Sequence, residues 1–228
     1  MKNVITILFL LLGGYSFAQK VKVSNLNLAF QKVRNVQRFL PVHDQFPDDS
    51  LDYVGDFTVE FDTLYHETIK SLFLALKEKA NRLGANSFRV KKADIYTTTE
   101  EKYITLECYF LKWEDMPRNK ELYYSNQVYL FGYTSHHQNI DGYKVKYNDK
   151  DFTLYELRYK AFNPAIGDKI QVELGSGVRG AKYSFVIEER MTPHYLYFTM
   201  VSGTFYNCLI QEYDYSYGEF LKGILREE

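Results

Sequence analysis

Three glycines, Gly175, Gly177 and Gly180, form the pattern G-x-G-x-x-G, which in dinucleotide-binding proteins surrounds a pyrophosphate. That chemistry requires the loop to open onto the N-terminus of a helix, because the free amides of the first helical turn bind the phosphate oxygens. The residues that follow, Lys182 to Ile187, instead alternate as in a β-strand. The pattern therefore predicts a glycine-rich hairpin loop, and we expect no cofactor.

The histidines do not follow the spacing of a metal site. His66 begins an H-E-x-x sequence, but Lys70 stands four residues later, where a zinc-binding helix carries its second histidine. His136 and His137 are adjacent, and Asp141 follows them in a polar turn. A metal site needs three or four converging ligands. We expect no metal site, and weak metal binding at the His136 turn is an alternative.

The two cysteines, Cys108 and Cys208, lie on the apolar sides of predicted strands, where a thiol behaves as a small hydrophobic group. Neither has a neighbouring histidine or cation in sequence that would activate it as a nucleophile. A disulfide between them is the alternative, and it requires Cα atoms within roughly 7 Å of each other. The chain also lacks a G-x-S-x-G sequence. These features favour a non-enzymatic protein, although distant residues can still assemble a catalytic triad.

Tyrosine is the most informative residue type, because the chain has 21 Tyr and 17 Phe against one Trp. Tyr195 and Tyr197 share one face of a predicted strand, and Tyr213 and Tyr215 follow it. An exposed tyrosine combines a broad apolar ring with a hydroxyl group, which suits contacts with proteins or sugars. Tyrosine also stabilises sheets, and we expect most of the tyrosines between Tyr195 and Tyr217 to serve that purpose, so that a binding face uses only a few of them. We hypothesise that these four residues bind a protein or glycan partner.

One amphipathic helix is the best-defined element. Its apolar residues follow a period of 3.6: Ile69, Leu72, Phe73, Leu76, Ala80 and Leu83. Asp62 or Thr63 is the predicted N-cap, and Gly84 supplies the left-handed residue at the C-terminus. Predicted strands at residues 54–61, 86–95 and 102–111 flank the helix. The first half of the chain is therefore predicted to be a β-α-β-β unit.

The helix passes into the next strand through the sequence L-G-A-N, from Leu83 to Asn86. This resembles the "LGAN" helix-to-strand junction of small bacterial envelope domains, including a heavy-metal-binding family and a stress-sensing outer-membrane lipoprotein. The resemblance covers residues 54–111 and implies a compact β-α-β-β domain of the envelope. The chain lacks the lipid-anchoring cysteine and the disulfide cysteines of the sensor, so the sensor function is not implied.

The second half of the chain is rich in predicted strands. Residues 113–120, with Pro117 and mixed charges, indicate a linker, and a hairpin follows over residues 143–160. Turn-forming residues then recur at the spacing of a β-sandwich or small barrel, and a short helix over residues 218–225 closes the chain. The predicted fold class is α+β. The predicted domains are residues 19–112 and 121–228.

The N-terminus follows the pattern of a cleavable secretory signal. Lys2 precedes an apolar stretch from Val4 to Leu12, and Ser16 and Ala18 fit a small-x-small cleavage site. Cleavage after Ala18 leaves Gln19 as the new N-terminus, and no cysteine that could carry a lipid stands there. No later stretch reaches the about 20 apolar residues that a membrane span needs. We expect residues 1–18 to be a signal peptide and the mature chain to be periplasmic or secreted, without a membrane anchor.

The charge pattern argues against a dedicated nucleic-acid role. The formal net charge is -1, and acidic and basic residues are interspersed along the chain, so no basic patch is predicted. Taken together, the sequence predicts an exported, non-enzymatic envelope protein that binds a protein or glycan partner through its aromatic-rich β domain. The alternative is an exported hydrolase with its site between the domains.

The export prediction can be checked by mass spectrometry of the protein recovered from the periplasm or medium. The mass should equal that of a chain beginning at Gln19, because Ser16 and Ala18 direct cleavage there. A retained N-terminal segment or a lipid adduct would contradict it.

Overall fold

The structure is a computed structural model that describes residues 21–28, 37–61, 69–96, 101–132, 142–175, 180–201 and 207–228. Within these ranges the chain forms three β-sheets and three α-helices, so the predicted mixed α+β class is confirmed. No closed barrel occurs within them. In the same ranges, no helix combines the length and the apolar character that a membrane crossing requires.

The first sheet contains five strands: β1 (Val21–Ser24), β2 (Leu40–Pro41), β3 (Leu51–Phe61), β4 (Ser87–Asp94) and β5 (Lys102–Leu111). Their spatial order is β1-β3-β5-β4-β2, in which β2 runs parallel to β4 and the other pairs are antiparallel. Helix α1 (Ile69–Arg82) lies in the chain between β3 and β4. The strand, the helix and the two strands therefore follow one another as the sequence predicted.

Helix α1 buries five of the six residues of its predicted apolar stripe against the first sheet, and the sixth, Leu83, follows the helix and is partly exposed. Ile69, Leu72, Phe73, Leu76 and Ala80 are each at most 5% exposed. The helix is followed by Gly84, whose φ of 93° lies in the left-handed region that favours glycine. The predicted N-cap residues, Asp62 and Thr63, lie outside the described residues.

The second sheet contains β7 (Tyr143–Tyr147), β8 (Lys150–Leu154), β10 (Lys169–Leu174) and β11 (Ala181–Val186) in the order β11-β10-β7-β8. The hairpin predicted over residues 143–160 is formed by β7 and β8, but it ends at Leu154. Strands β10 and β11 pair antiparallel with Leu174 opposite Ala181. The glycine-rich segment therefore joins two strands of a hairpin, as predicted, and does not lead into a helix.

The third sheet lies between two cores. It contains β6 (Val128–Phe131), β9 (Arg158–Phe162), β12 (His194–Val201), β13 (Asn207–Glu212) and β14 (Arg226–Glu227) in the order β13-β12-β6-β9-β14. Successive side chains of a strand point to opposite faces. Accordingly, Val128 and Leu130 join a core shared with the second sheet, and Tyr129 and Phe131 join the core of the first sheet.

The predicted linker at residues 113–120 contains most of a short helix, α2 (Met116–Glu121). Met116 and Asn119 are buried in it. The Asn119 side chain donates to the carbonyl of Pro41 at 2.8 Å and accepts from the amide of His43 at 3.0 Å. This segment is therefore tied to the first half of the chain. The division into domains 19–112 and 121–228 stays a prediction.

The C-terminal helix, α3 (Tyr215–Ile224), begins three residues earlier than the sequence indicated. Asp214 caps it by accepting the amides of Ser216 and Tyr217 at 3.0 and 3.1 Å. The ring of Phe220 lies 4.7 Å from the ring of Phe73 in α1, measured between centroids. Helices α1 and α3 thus share one core on the same face of the first sheet.

Cys108 is a free thiol with no exposed surface, so it is not in a disulfide. Burial raises its pKa well above the ordinary value, and the nearby carboxylates of Asp56 and Glu107 add to this rise. A thiol in this state is a packing group and not a nucleophile. The side chain of Cys208 lies outside the described residues.

Replacing Leu76 with Ala should lower the free energy of unfolding by about 2 to 5 kcal/mol, because it leaves a cavity beneath α1. The measurement is denaturant-induced unfolding followed by far-ultraviolet circular dichroism. Lys79→Ala, on the exposed face of the same helix, is the control and should have little effect. Equal losses for both variants would show that the helix does not dock through its apolar stripe.

Candidate functional site

Two adjoining grooves share Arg38, Leu40 and Tyr215 in their walls. The α2 groove has a volume of about 480 Å³ and extends from these residues to Trp113 and helix α2. The α1 groove has a volume of about 400 Å³ and extends from them to Tyr213 and helix α1. We refer to the two together as the aromatic groove. Because it combines several aromatic side chains with solvent access, it is the strongest candidate for a binding site among the described residues.

Trp113 is the only tryptophan of the chain and is 61% exposed. The guanidinium carbon of Arg38 lies 5.0 Å from the centroid of its ring, which is the geometry of a cation–π interaction. This contact orients both side chains at the entrance of the α2 groove. Trp113 is not among the predicted site residues, because it lies in the predicted linker. The one indication in the sequence is that the only tryptophan stands in a polar segment.

Tyr215 is the first residue of α3 and stands where the two grooves meet. Its residue is partly exposed, but its hydroxyl oxygen is buried and has no hydrogen-bond partner among the described residues. Burial raises the pKa of this phenol, and the charges of Glu219 and Asp214 add to the rise. The ring also makes an edge contact with Tyr123, with the centroids 5.8 Å apart. Tyr215 is therefore held as a neutral, rigid ring.

Tyr213 lines the α1 groove and stacks on Tyr197, with ring centroids 3.7 Å apart and an interplanar angle of 3°. The hydroxyl of Tyr197 donates to the side chain of Gln211 at 2.6 Å. Both tyrosines are partly exposed. The structure thus brings together Tyr197, Tyr213 and Tyr215 of the four tyrosines that the sequence singled out.

Tyr195 cannot present its ring to a partner in this fold, which corrects the sequence prediction. It is 0% exposed, and its hydroxyl donates to the carboxylate of Glu219 in α3. Tyr195 and Tyr197 lie on the same face of β12, as the alternation indicated, but α3 packs against the strand and covers Tyr195. Local periodicity predicts which face a side chain takes and not which distant element covers that face.

The aromatic groove carries more cations than carboxylates. Arg38, Lys70, Lys77 and Lys120 line it, against Asp214 and Glu121. Asp214 already caps α3 through two backbone amides. The groove therefore has a positive excess that its own residues do not neutralise.

A third cavity of about 520 Å³, here called the charged groove, lies between the first sheet and α3. Its walls include His43, Lys91, Glu107, Glu219 and Lys222. The ammonium of Lys91 lies 3.1 Å from a carboxylate oxygen of Glu107, and that of Lys222 lies 2.7 Å from Glu219. Both carboxylates are thus ion-paired within the protein.

Lys91 also binds Asp56, which is 5% exposed, at 3.1 Å. Burial by itself would raise the pKa of Asp56, but the hydrogen bonds from Asn25 and Lys91 outweigh burial and lower it. The hydrogen bond to Asp56 also stabilises the charged form of Lys91, so it raises the pKa of Lys91.

No serine, threonine or cysteine is among the described residues that line the charged groove. Within the described ranges no group of three or more histidine, cysteine or acidic residues could hold a metal ion.

Several sequence predictions fall outside the described residues. They include the cleavage site at Ala18 and Gln19, and the histidines His66, His136 and His137.

No family model matches this chain, nor does any curated protein or solved structure. The resemblance of residues 54–111 to small envelope domains therefore stays a prediction.

Replacing Tyr215 with Phe should leave the free energy of unfolding unchanged or raise it by up to about 1 kcal/mol, because it removes a buried hydroxyl that has no described partner. Tyr195→Phe is the matched comparison, since it removes a hydroxyl that donates to Glu219, and it should cost about 1.5 to 3 kcal/mol. Denaturant unfolding measures both values. A loss at Tyr215 as large as that at Tyr195 would show that the Tyr215 hydroxyl has a partner.

Proposed function

We propose that this chain is an exported, non-enzymatic envelope protein that binds a protein or glycan partner through the aromatic groove. The observation that supports the proposal is the convergence of Trp113, Tyr213, Tyr215 and Arg38 on two adjoining grooves. Tryptophan, tyrosine and arginine are the residue types that contribute most to the affinity of protein interfaces.

The rings of the groove are held in place before any partner arrives. Tyr213 is stacked on Tyr197, and Arg38 lies over Trp113. Binding to fixed rings costs less conformational entropy than binding to mobile ones, so more of the contact energy remains as affinity. This preorganisation supports a binding role for these side chains beyond a role in sheet stability.

Export and domain organisation belong to the same proposal. Residues 1–18 act as a signal peptide, and the mature chain beginning at Gln19 is periplasmic or secreted. A β-α-β-β domain at residues 19–112 and a β-rich domain at residues 121–228 both contribute to the groove, the first through Arg38 and Leu74 and the second through Tyr213 and Tyr215.

A hydrolase is the second candidate, and the charged groove favours it. His43, Glu107 and Glu219 line a cavity of about 520 Å³ to which both halves of the chain contribute. The ion pairs of Glu107 and Glu219 argue against it, because Lys91 and Lys222 already engage the two carboxylates that would have to act on a substrate. Hydrolytic turnover that is abolished by Glu219→Gln would support this candidate over binding.

The binding proposal can be tested with the fluorescence of Trp113, which is the only tryptophan and lines the α2 groove. Short peptides and oligosaccharides are titrated into the mature protein. A ligand of the groove should change the emission, and Tyr215→Ala should weaken its binding by about 2 kcal/mol, or about 30-fold, because a central aromatic anchor is lost.

Tyr155→Ala is the control for that measurement. Tyr155 is 50% exposed and does not line the groove, so its loss should leave the affinity unchanged. Equal weakening by both variants, or no emission change with any ligand of either class, would contradict the proposal.

A further inference from the structure

One face of helix α1 forms a wall of the α1 groove, and its composition indicates the kind of partner. Lys70, Leu74 and Lys77 all line this groove. Their spacings of four and three residues place them on the same side of a helix. Leu74 is 50% exposed, whereas the predicted apolar stripe of the helix is buried. The groove therefore presents an apolar side chain between two ammonium groups.

The cations at this wall have no ion-pair partner among the described residues. On the same helix, away from the groove, Arg82 forms a salt bridge with Glu78 four residues earlier. No such pair forms within the described ranges at Lys70, Lys77 or Arg38. The one carboxylate among the described residues of their groove is Asp214, and it accepts hydrogen bonds from the amides at the start of α3. The wall thus has a local positive charge that a ligand can complement.

We propose that the partner is a protein segment in which acidic side chains flank an apolar one. Its carboxylates pair with Lys70 and Lys77, and its apolar side chain packs on Leu74. This inference rests on the proposed function, and it identifies which class of partner the groove takes.

The spacing of the wall fits an extended segment. Lys70 and Leu74 are about 6 Å apart along the helix axis, and Leu74 and Lys77 are about 4.5 Å apart. Alternate residues of a strand share a face and are about 6.6 Å apart. The sequence Glu-x-Leu-x-Glu therefore places its three side chains close to the wall residues, and the flexible stems of the lysines accommodate the remaining difference.

A glycan fits this wall less well. A sugar placed against Leu74 would bury hydroxyl groups beside an apolar side chain, and those groups would lose hydrogen bonds to water without replacement. An acidic glycan could form ion pairs with Lys70 and Lys77, but it has no apolar side chain to pack on Leu74. The combination of charge and exposed apolar surface favours the protein segment.

The test uses the full mature protein and three probes: the peptide Ser-Glu-Ser-Leu-Ser-Glu-Ser, the same peptide with glutamine in place of glutamate, and an oligosaccharide of uronic acids. Calorimetry gives the affinities, and Trp113 emission reports on the adjoining α2 groove. The glutamate peptide should bind about tenfold more tightly than the glutamine peptide, because each exposed ion pair contributes about threefold. In about 1 M salt the difference should disappear, since the Debye length falls to about 3 Å.

Variants of α1 separate a specific pairing from general attraction to a cationic protein. The double substitution Lys70→Gln with Lys77→Gln should weaken the glutamate peptide about tenfold and leave the glutamine peptide unchanged. Lys79→Gln removes one positive charge from an exposed position of the same helix outside the groove, and it should change neither affinity. Equal weakening by Lys79→Gln would overturn the inference.

The outcomes distinguish this inference from the proposed function. If the uronic acid oligosaccharide, or a neutral ligand, changes Trp113 emission and the glutamate peptide does not bind, the acidic-segment inference is wrong and the binding function stands. If neither these probes nor any peptide or oligosaccharide of the wider titration binds in the calorimeter or changes the emission, both are wrong.

Discussion

Helix α3 can lie between two sheets only because it carries glycine at two points of close approach. A Cβ atom added at Gly218 would lie 2.2 Å from the ring of Tyr195 in the third sheet. A Cβ atom added at Gly223 would lie 2.7 Å from the side chain of Val90 in the first sheet. The two glycines are five positions apart, which corresponds to about 140° around the helix. Each glycine therefore faces a different sheet, and a larger side chain at either position would collide with the side chain opposite it.

This constraint also sets the geometry of the aromatic groove. Asp214 and Tyr215 stand at the N-terminus of α3, so the position of the helix fixes where the Tyr215 ring lies. The hydroxyl of Ser216 donates to the carbonyl of Phe39, which ties segment 37–41 to the same end of the helix. On the other side, Phe73 of α1 packs against Phe220. Tyr215, segment 37–41 and helix α1, which all line the groove, are therefore held by the same helix, α3.

The features that the sequence predicted correctly depend on neighbours along the chain. Periodicity within a few residues encodes the stripe of α1 from Ile69 to Ala80. Turn chemistry encodes the glycine that follows this helix and the hairpin around Gly175 and Gly180. The burial of Tyr195 and the site at Tyr215 depend instead on contacts such as that between Ser216 and Phe39, which are 177 positions apart. Periodicity carries no information about such pairs. Placing Trp113 and Tyr215 in one groove would have required information about contacts between residues far apart in sequence.

The composition of the groove is difficult to explain by stability alone. Leu74 exposes apolar surface on a helix that already has a buried stripe, Tyr215 keeps a buried hydroxyl without a described partner, and Trp113 exposes most of a large ring. None of these features stabilises the folded state, and the unpaired buried hydroxyl destabilises it. Single exposed apolar side chains are nevertheless common on protein surfaces. Here all three line the aromatic groove. Departures from the rules of stability concentrate at functional sites, because there the side chains are selected for contacts that the isolated protein does not make. Their convergence is therefore a stronger argument for a binding surface than the exposure of any one of them.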